Sequence, residues 1–421
     1  MIRPGGEDAH EAGRMNGSLI ALMALNFFMA DVRDGLGPFL GVYLQSMNWS
    51  PAEIGIVMTI GGLAGMLSTT PVGMLVDQTR SKRAIVVAAA AAIVAASLLI
   101  VSSASYAVTT AAQVVNGIAG AAVGPAIAGI TLGIVRQRGY ARQLGRNEAF
   151  NHAGNVTAAV LAGLFGFLFG IGAVFSVMAA MAVASLVATA FIDPNAIDHR
   201  AASGLSGTTS KPAAGLEVLV RSRPLLIVAA TLTLFHLGNA AMLPLLGQAL
   251  VAQHAGDPSA STSATIVIAQ LTMITMALLA ARVAVRRGYW LLFLWALVAL
   301  PIRGVAAAAV TGPLGLVPVQ ILDGIGAGLL GVAVPGLVAR VLAGTGHVNA
   351  GLGAVMTMQG VGAAVSPALA GVVAGRFGYP AAFLTLSVVA AAALLLWIAA
   401  RPVMSGACAT LPAELVPGEV G

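Results

Sequence analysis

Apolar stretches of twenty or more residues follow one another from about Ser18 to Ala400, broken only by short polar connections. Each is long enough to cross the roughly 30 Å hydrocarbon core of a bilayer as a helix. In that medium the backbone must satisfy its own hydrogen bonds, which leaves helices and closed barrels as the only spanning forms. A barrel strand reads as a segment of about ten residues with alternating polarity, whereas these runs are continuously apolar. The chain is therefore read as an all-α membrane protein. Its composition agrees: 58% of the residues are hydrophobic and 9% charged, against about 25% charged in soluble domains.

Breaks at Pro, Gly and charge clusters give twelve expected spans, at about 18 to 45, 52 to 76, 84 to 103, 107 to 135, 148 to 169, 171 to 192, 225 to 252, 261 to 281, 289 to 310, 313 to 339, 350 to 375 and 380 to 400. Loops kept in the cytoplasm collect Lys and Arg. Arg80, Lys82 and Arg83 follow span 2, Arg136 to Arg146 span 4, Arg282 to Arg287 span 8, and Arg340 and Arg401 spans 10 and 12, while the alternate loops are almost bare. Both termini are thus expected in the cytoplasm, in an inner (plasma) membrane. The polar start, residues 1–17, reads as a cytoplasmic tail; it lacks the basic region, short apolar run and cleavage site of a signal peptide. The basic residues cluster in connections, so the net charge of +6 reports topology, and nucleic acid is not an expected partner. Cys408 is the single cysteine, which excludes an intrachain disulfide.

The stretch Ile192 to Arg223, rich in Ser, Thr, Gly and Ala, reads as a flexible linker. It separates an expected bundle at 18–192 from another at 224–400, with residues 193–223 as a cytoplasmic linker and 401–421 as a cytoplasmic tail. The halves repeat each other. "LAGLFGFLFGIGAVF" from Leu161 lies over "LAGVVAGRFGYPAAF" from Leu369 at an offset of 208, "QVVNGIAG" from Gln113 over "QILDGIGA" from Gln320 at 207, and Pro38 and Gly41 over Pro244 and Gly247 at 206. A duplicated six-helix unit is expected of a transporter with its site at the membrane midplane, between the repeats.

"GMLVDQTRSKR" sharpens that expectation: Gly73, Leu75, Asp77, Lys82 and Arg83 resemble the loop motif of the major facilitator superfamily, with Arg80 where glycine is usual. The resemblance spans nearly the whole chain. It implies two pseudo-symmetric six-helix bundles, alternating access, and a gating role for Gly73, Asp77, Lys82 and Arg83 as a cytoplasmic latch favouring the outward-open state. Two family patterns are degraded. Gln113 stands where the fourth helix usually carries arginine, and the antiporter motif of helix 5 survives only as small residues, Gly154, Ala158, Ala159, Ala162 and Gly163.

A charge at the bilayer centre costs at least about 2.5 kcal/mol, so such residues are functional candidates by default. Span 1 carries three: Asp31, Arg33 and Asp34. The two carboxylates, three residues apart, share a helix face, and Arg33 is rotated from it by roughly 100°. Arg33 is expected to neutralise one aspartate or to reach a neighbouring helix; where it pairs with one aspartate, the other is left as a proton site. Gly35, Gly37 and Pro38 then weaken the helix. Asp323 on span 10 is the second half's carboxylate and aligns with Asn116. Further candidate substrate contacts are Asn151, His152 and Asn155 on span 5, His236 and Asn239 on span 7, Gln113, Gln320 and Gln359. Arg303 reads either as a peripheral charge near the outer surface or, facing inward, as an anion contact.

No Gly-x-x-x-x-Gly-Lys-Ser/Thr loop occurs, which argues against ATP hydrolysis, and no catalytic set is recognisable, so an enzyme is not expected and no cofactor is implied. The expected activity is secondary transport of a small molecule by a monomer in the lipid bilayer, with protons as the coupling ion and efflux by antiport as the preferred direction. Proton symport or facilitated uptake of a small organic solute is the alternative. Divalent metal transport, with Asp31, His236 and Asp323 as ligands, and a non-transporting receptor stand behind both.

Overall fold

The computed structural model describes residues 6–32, 36–103, 105–202, 220–254, 256–310, 312–342 and 348–409, and among them every regular element is helical. Eleven helical stretches are long and apolar enough to cross a membrane. The remaining expected span, the first, is divided into α1 (Gly6–Ala30) and α2 (Leu36–Ser46) on either side of residues 33–35, which completes a twelve-helix fold. Then come α3 (Pro51–Gln78), α4 (Lys82–Ser102), α5 (Tyr106–Phe169), α6 (Ala173–Ala190), a 3-10 turn (Pro194–Ala196) and α7 (His199–Ala202). The second half holds α8 (Arg223–Asn239), α9 (Met242–Ala252), α10 (Pro258–Arg287), α11 (Trp290–Ala308), α12 (Leu316–Val341), α13 (Val348–Phe377), α14 (Tyr379–Ala399) and α15 (Arg401–Cys408).

Local chemistry sets the boundaries. Ser50 and Glu53 form a reciprocal capping box at the start of α3: Glu53 Oε2 accepts from the Ser50 N–H at 2.9 Å, and Ser50 Oγ from the Glu53 N–H at 3.3 Å. Ser222 caps α8, its hydroxyl accepting from the Leu225 N–H, with Pro224 in the first turn where a missing N–H costs nothing. Expected spans 4 and 5 run together as the 64-residue α5, but Arg136 sits at φ 53° and breaks it into two limbs, Tyr106–Arg136 and Gln143–Phe169.

The sequence repeat is visible as geometry. α2 and α9 are both 11 residues long, start 206 residues apart, and carry Pro38 and Pro244 at their third position. A proline clashes with the carbonyl four residues earlier, and for Pro244 that residue is Ala240, where α8 gives way to α9. Gly170 (φ 88°) and Gly378 (φ 83°), 208 residues apart, turn the chain between consecutive long helices in each half. Only glycine takes that left-handed conformation without penalty.

The chain forms two compact units. The first contains Met1–Asn48, Ile60–Thr209 and Asp257–Ala264; the second contains Trp49–Thr59, Ser210–Gly256 and Thr265–Gly421. In the first, Leu22, Leu25, Val86, Ala90, Val123 and Ala126 are fully buried. In the second, Trp397 is fully buried, stacked on Phe293 and Trp290 with ring centroids at 4.4 and 4.9 Å. Contrary to the expected flexible linker, its beginning is structured. Ile197 and Ala202 are buried against Gly133, the Asp198 N–H donates to the Gly133 carbonyl at 3.0 Å, and Asp198 pairs with Arg136 at 3.4 Å. Composition suggested a free linker because the apolar anchors are few and separated by polar residues. Residues 203–219 lie outside the described residues.

Candidate functional site

In the second unit a cavity of about 340 Å³ is walled by α8, α12 and α13. Its surface is largely apolar, and its polar groups are His236, Asn239 and Gln359. The first two occupy the last turn of α8, just before the break set by Pro244. A hydroxyl couples α8 to α13: Thr233 Oγ1 donates to the Met358 carbonyl at 2.9 Å. Past the break, the Ala241 N–H donates to Ser366 Oγ at 3.0 Å, and Gly362 lets the α8 backbone approach at Thr233. These contacts hold His236 and Gln359 on facing helices.

Behind the cavity, α11 supplies Arg303, which is 1% exposed. Its Nη1 lies 2.7 Å from Asp323 Oδ1 on α12 and donates to Asn239 Oδ1 at 2.5 Å. Arg303 is therefore an inward-facing, buried charge rather than a peripheral one, and the anion it meets is Asp323. Its Nε and Nη2 have no hydrogen-bond partner among the described residues. A buried arginine left without a counter-charge is costly, so Asp323 neutralises it and the pair fixes Asn239 in the cavity wall. The sequence signal for this arrangement was a lone arginine two residues after Pro301 in an otherwise apolar helix, without any indication of its partner.

The first unit contains the other candidates. Asp31, at the end of α1, is 5% exposed and has no ion-pair or hydrogen-bond partner among the described residues. One turn earlier, Gly154 of α5 sits against the Phe27 carbonyl, so the two backbones meet there. Arg33 and Asp34 lie outside the described residues. Asn151 and Asn155 share a face of α5, with Asn155 Nδ2 3.4 Å from Asn151 Oδ1, and the neighbouring His152 has a buried Nδ1 without a described partner. Gln113 accepts a hydrogen bond from Asn116 Nδ2 at 3.1 Å. Its repeat equivalent in the second unit, Gln320, is wholly buried and both its amide atoms lack described partners.

In the motif after α3, Lys82 is 1% exposed and donates to the Thr79 carbonyl at 3.0 Å. Arg83 caps the end of α6, donating to the Thr189 and Ala190 carbonyls at 3.1 Å each, which satisfies groups a helix C-terminus leaves open. A Cβ on Gly73 would meet nothing within 4 Å, so no close approach among described residues calls for glycine there. The Asp77 side chain lies outside the described residues. No group of three His, Cys, Asp or Glu able to hold a metal occurs among the described residues, and Asp323 is committed to Arg303.

A family model described as "Major Facilitator Superfamily" matches residues 19–317. Two proteins described as uncharacterized MFS-type transporters, from two strains of Mycobacterium tuberculosis, are each 43% identical over 386 residues, covering 91% of this chain and 92% of the relative. Among solved structures, a variant of the nucleoside transporter NupG superposes with a TM-score of 0.77 at 14% identity, covering 91% of this chain and 99% of the other. A bacterial homologue of the human lysosomal transporter Spinster superposes with a TM-score of 0.75 at 12% identity, covering 98% and 100%. At those identities the likeness is one of fold.

Proposed function

The chain belongs to the major facilitator superfamily, and on that premise we propose a proton-coupled transporter of the plasma membrane that exports a small, uncharged organic molecule in exchange for protons. It works as a monomer with both termini in the cytoplasm. The observation that carries the coupling is Asp31, a carboxylate 5% exposed beside buried Met29 and Val32, with no counter-charge among the described residues. Desolvating a carboxylate is expensive, and a membrane helix that keeps one puts it to use. Asp31 takes a proton in one state of the cycle and releases it in the other, with Arg33 and Asp34 completing the local charge balance. The motif from Gly73 to Arg83, with Asp77 and Lys82, serves as the latch that the family resemblance implies.

The character of the solute follows from the cavity on the second unit. Apolar walls with three hydrogen-bonding side chains, His236, Asn239 and Gln359, suit a compact amphipathic molecule. The Arg303–Asp323 pair cancels its own charge, which favours an uncharged solute. Asn151, His152, Asn155 and Gln113 are the first unit's proposed solute contacts. A second reading is uptake by proton symport, supported by the same three polar groups, which reward a solute rich in donors and acceptors over a purely greasy one.

Compounds that raise the unfolding temperature of the purified chain should be assayed in proteoliposomes under pH gradients of either sign. Exchange concentrates the compound in an acid lumen, whereas symport concentrates it in an alkaline lumen. Transport that never exceeds equilibration under either gradient contradicts proton coupling.

A further inference from the structure

On the second unit, α10 and α11 flank an open groove of about 470 Å³ floored by α12. It is lined by Leu279 and Val283, Trp295 and Ile302, and Leu329, and its one charged lining residue is Arg287, in the last turn of α10. Trp295 and Ile302 are 61% and 52% exposed, and apart from the Arg287 guanidinium and the Trp295 indole N–H the side chains lining the groove are apolar. We propose that this groove is a binding site for an anionic phospholipid, with an acyl chain lying along α10 and the phosphate on Arg287.

Length and charge support that occupant. From Arg287 back to Met276, the last α10 residue in the groove, is about 16 Å along the helix, close to half of the roughly 30 Å hydrocarbon core and hence to one leaflet. Arg286 and Arg287 are both exposed, no described acidic residue pairs with either, and basic pockets between membrane helices suit anionic headgroups. A second polypeptide on this face would have to bring a carboxylate to the membrane boundary to meet Arg287. An anionic lipid carries its phosphate at that depth already.

The test is quenching of Trp295 fluorescence in phosphatidylcholine vesicles carrying dibrominated acyl chains either on phosphatidylglycerol or on phosphatidylcholine at equal mole fraction. A Trp295→Phe chain supplies the background from the other tryptophans. The expected result is preferential quenching by brominated phosphatidylglycerol, corresponding to an enrichment of about fivefold for one arginine near the surface. It falls to parity in Arg287→Ala and is retained in Arg287→Lys. Equal quenching by the two lipids, or a preference that survives Arg287→Ala, overturns the proposal. Quenching by neither lipid, with copies cross-linking through this face, also overturns it and assigns the groove to a contact between chains.

Discussion

Arg303 and Asp323 face each other across α11 and α12 with Nη1 and Oδ1 2.7 Å apart, and the same nitrogen holds Asn239 in the wall of the polar cavity. The pair thus ties a buried charge to a proposed solute contact without itself lining the cavity. Removing one member strands the other, at a cost of about 3–5 kcal/mol, whereas replacing both by apolar residues is often neutral. Arg303→Leu alone should therefore lower the unfolding temperature in detergent, and Arg303→Leu with Asp323→Leu should recover most of it. Transport should stay impaired in the double variant because Asn239 has lost its anchor. A single variant as stable as the parent would show that the pair carries no structural burden.

The cavity amides and the buried one should respond differently. Asn239→Ala and Gln359→Ala each remove a hydrogen-bonding group from the cavity and should weaken solute binding by about 1–2 kcal/mol, roughly five- to thirtyfold in Kd. Gln320 is wholly buried with both amide atoms lacking described partners, so Gln320→Met should leave stability unchanged or raise it. Calorimetric binding and thermal unfolding read the two effects separately.

Much of this architecture is legible in the sequence. Span count, repeat and the weakening of the first span follow from long apolar runs and from Gly35, Gly37 and Pro38, whose effects act within a few residues along the chain. The division of the expected span 225 to 252 into α8 and α9, by contrast, was not read from Pro244. The site was only half legible. His236 and Asn239 drew attention as polar residues in an apolar helix, but pairing Arg303 with Asp323, or bringing Gln359 opposite His236, depends on contacts between helices that no local pattern encodes. Gln113 and Gln320 show the limit of the repeat: aligned in sequence, one is half-buried and bonded to Asn116 while the other is sealed in the core.

Cys408 provides a probe outside the membrane. It is 2% exposed at the end of α15, its carbonyl accepts from the Tyr289 N–H at 3.0 Å, and Arg340 bonds the Ala409 carbonyl while lying 4.8 Å over the Tyr289 ring. Burial pushes the Cys408 thiol up to about 11, with Arg340 pulling modestly the other way. Maleimide labelling at neutral pH should be slow, and about tenfold faster in Arg340→Ala if the helix undocks, since thiolate and access control the rate. Because the folded thiol holds its proton more tightly than an unfolded one, its contribution to docking is present below the ordinary thiol range. That contribution is lost as pH rises towards about 11. Labelling equally fast in native and denatured chain would contradict a docked α15.

Asp31 bears the central claim, and the most direct measurement is accumulation of an identified solute in proteoliposomes under an imposed pH gradient, for the parent chain and for Asp31→Asn. The expected result is that the parent concentrates the solute in an acid lumen and a protonophore abolishes this. Asp31→Asn should still equilibrate the solute across the membrane but concentrate none of it, because an amide carries no proton through the cycle. Concentration by Asp31→Asn equal to that of the parent, still following the gradient, would contradict Asp31 as the coupling site.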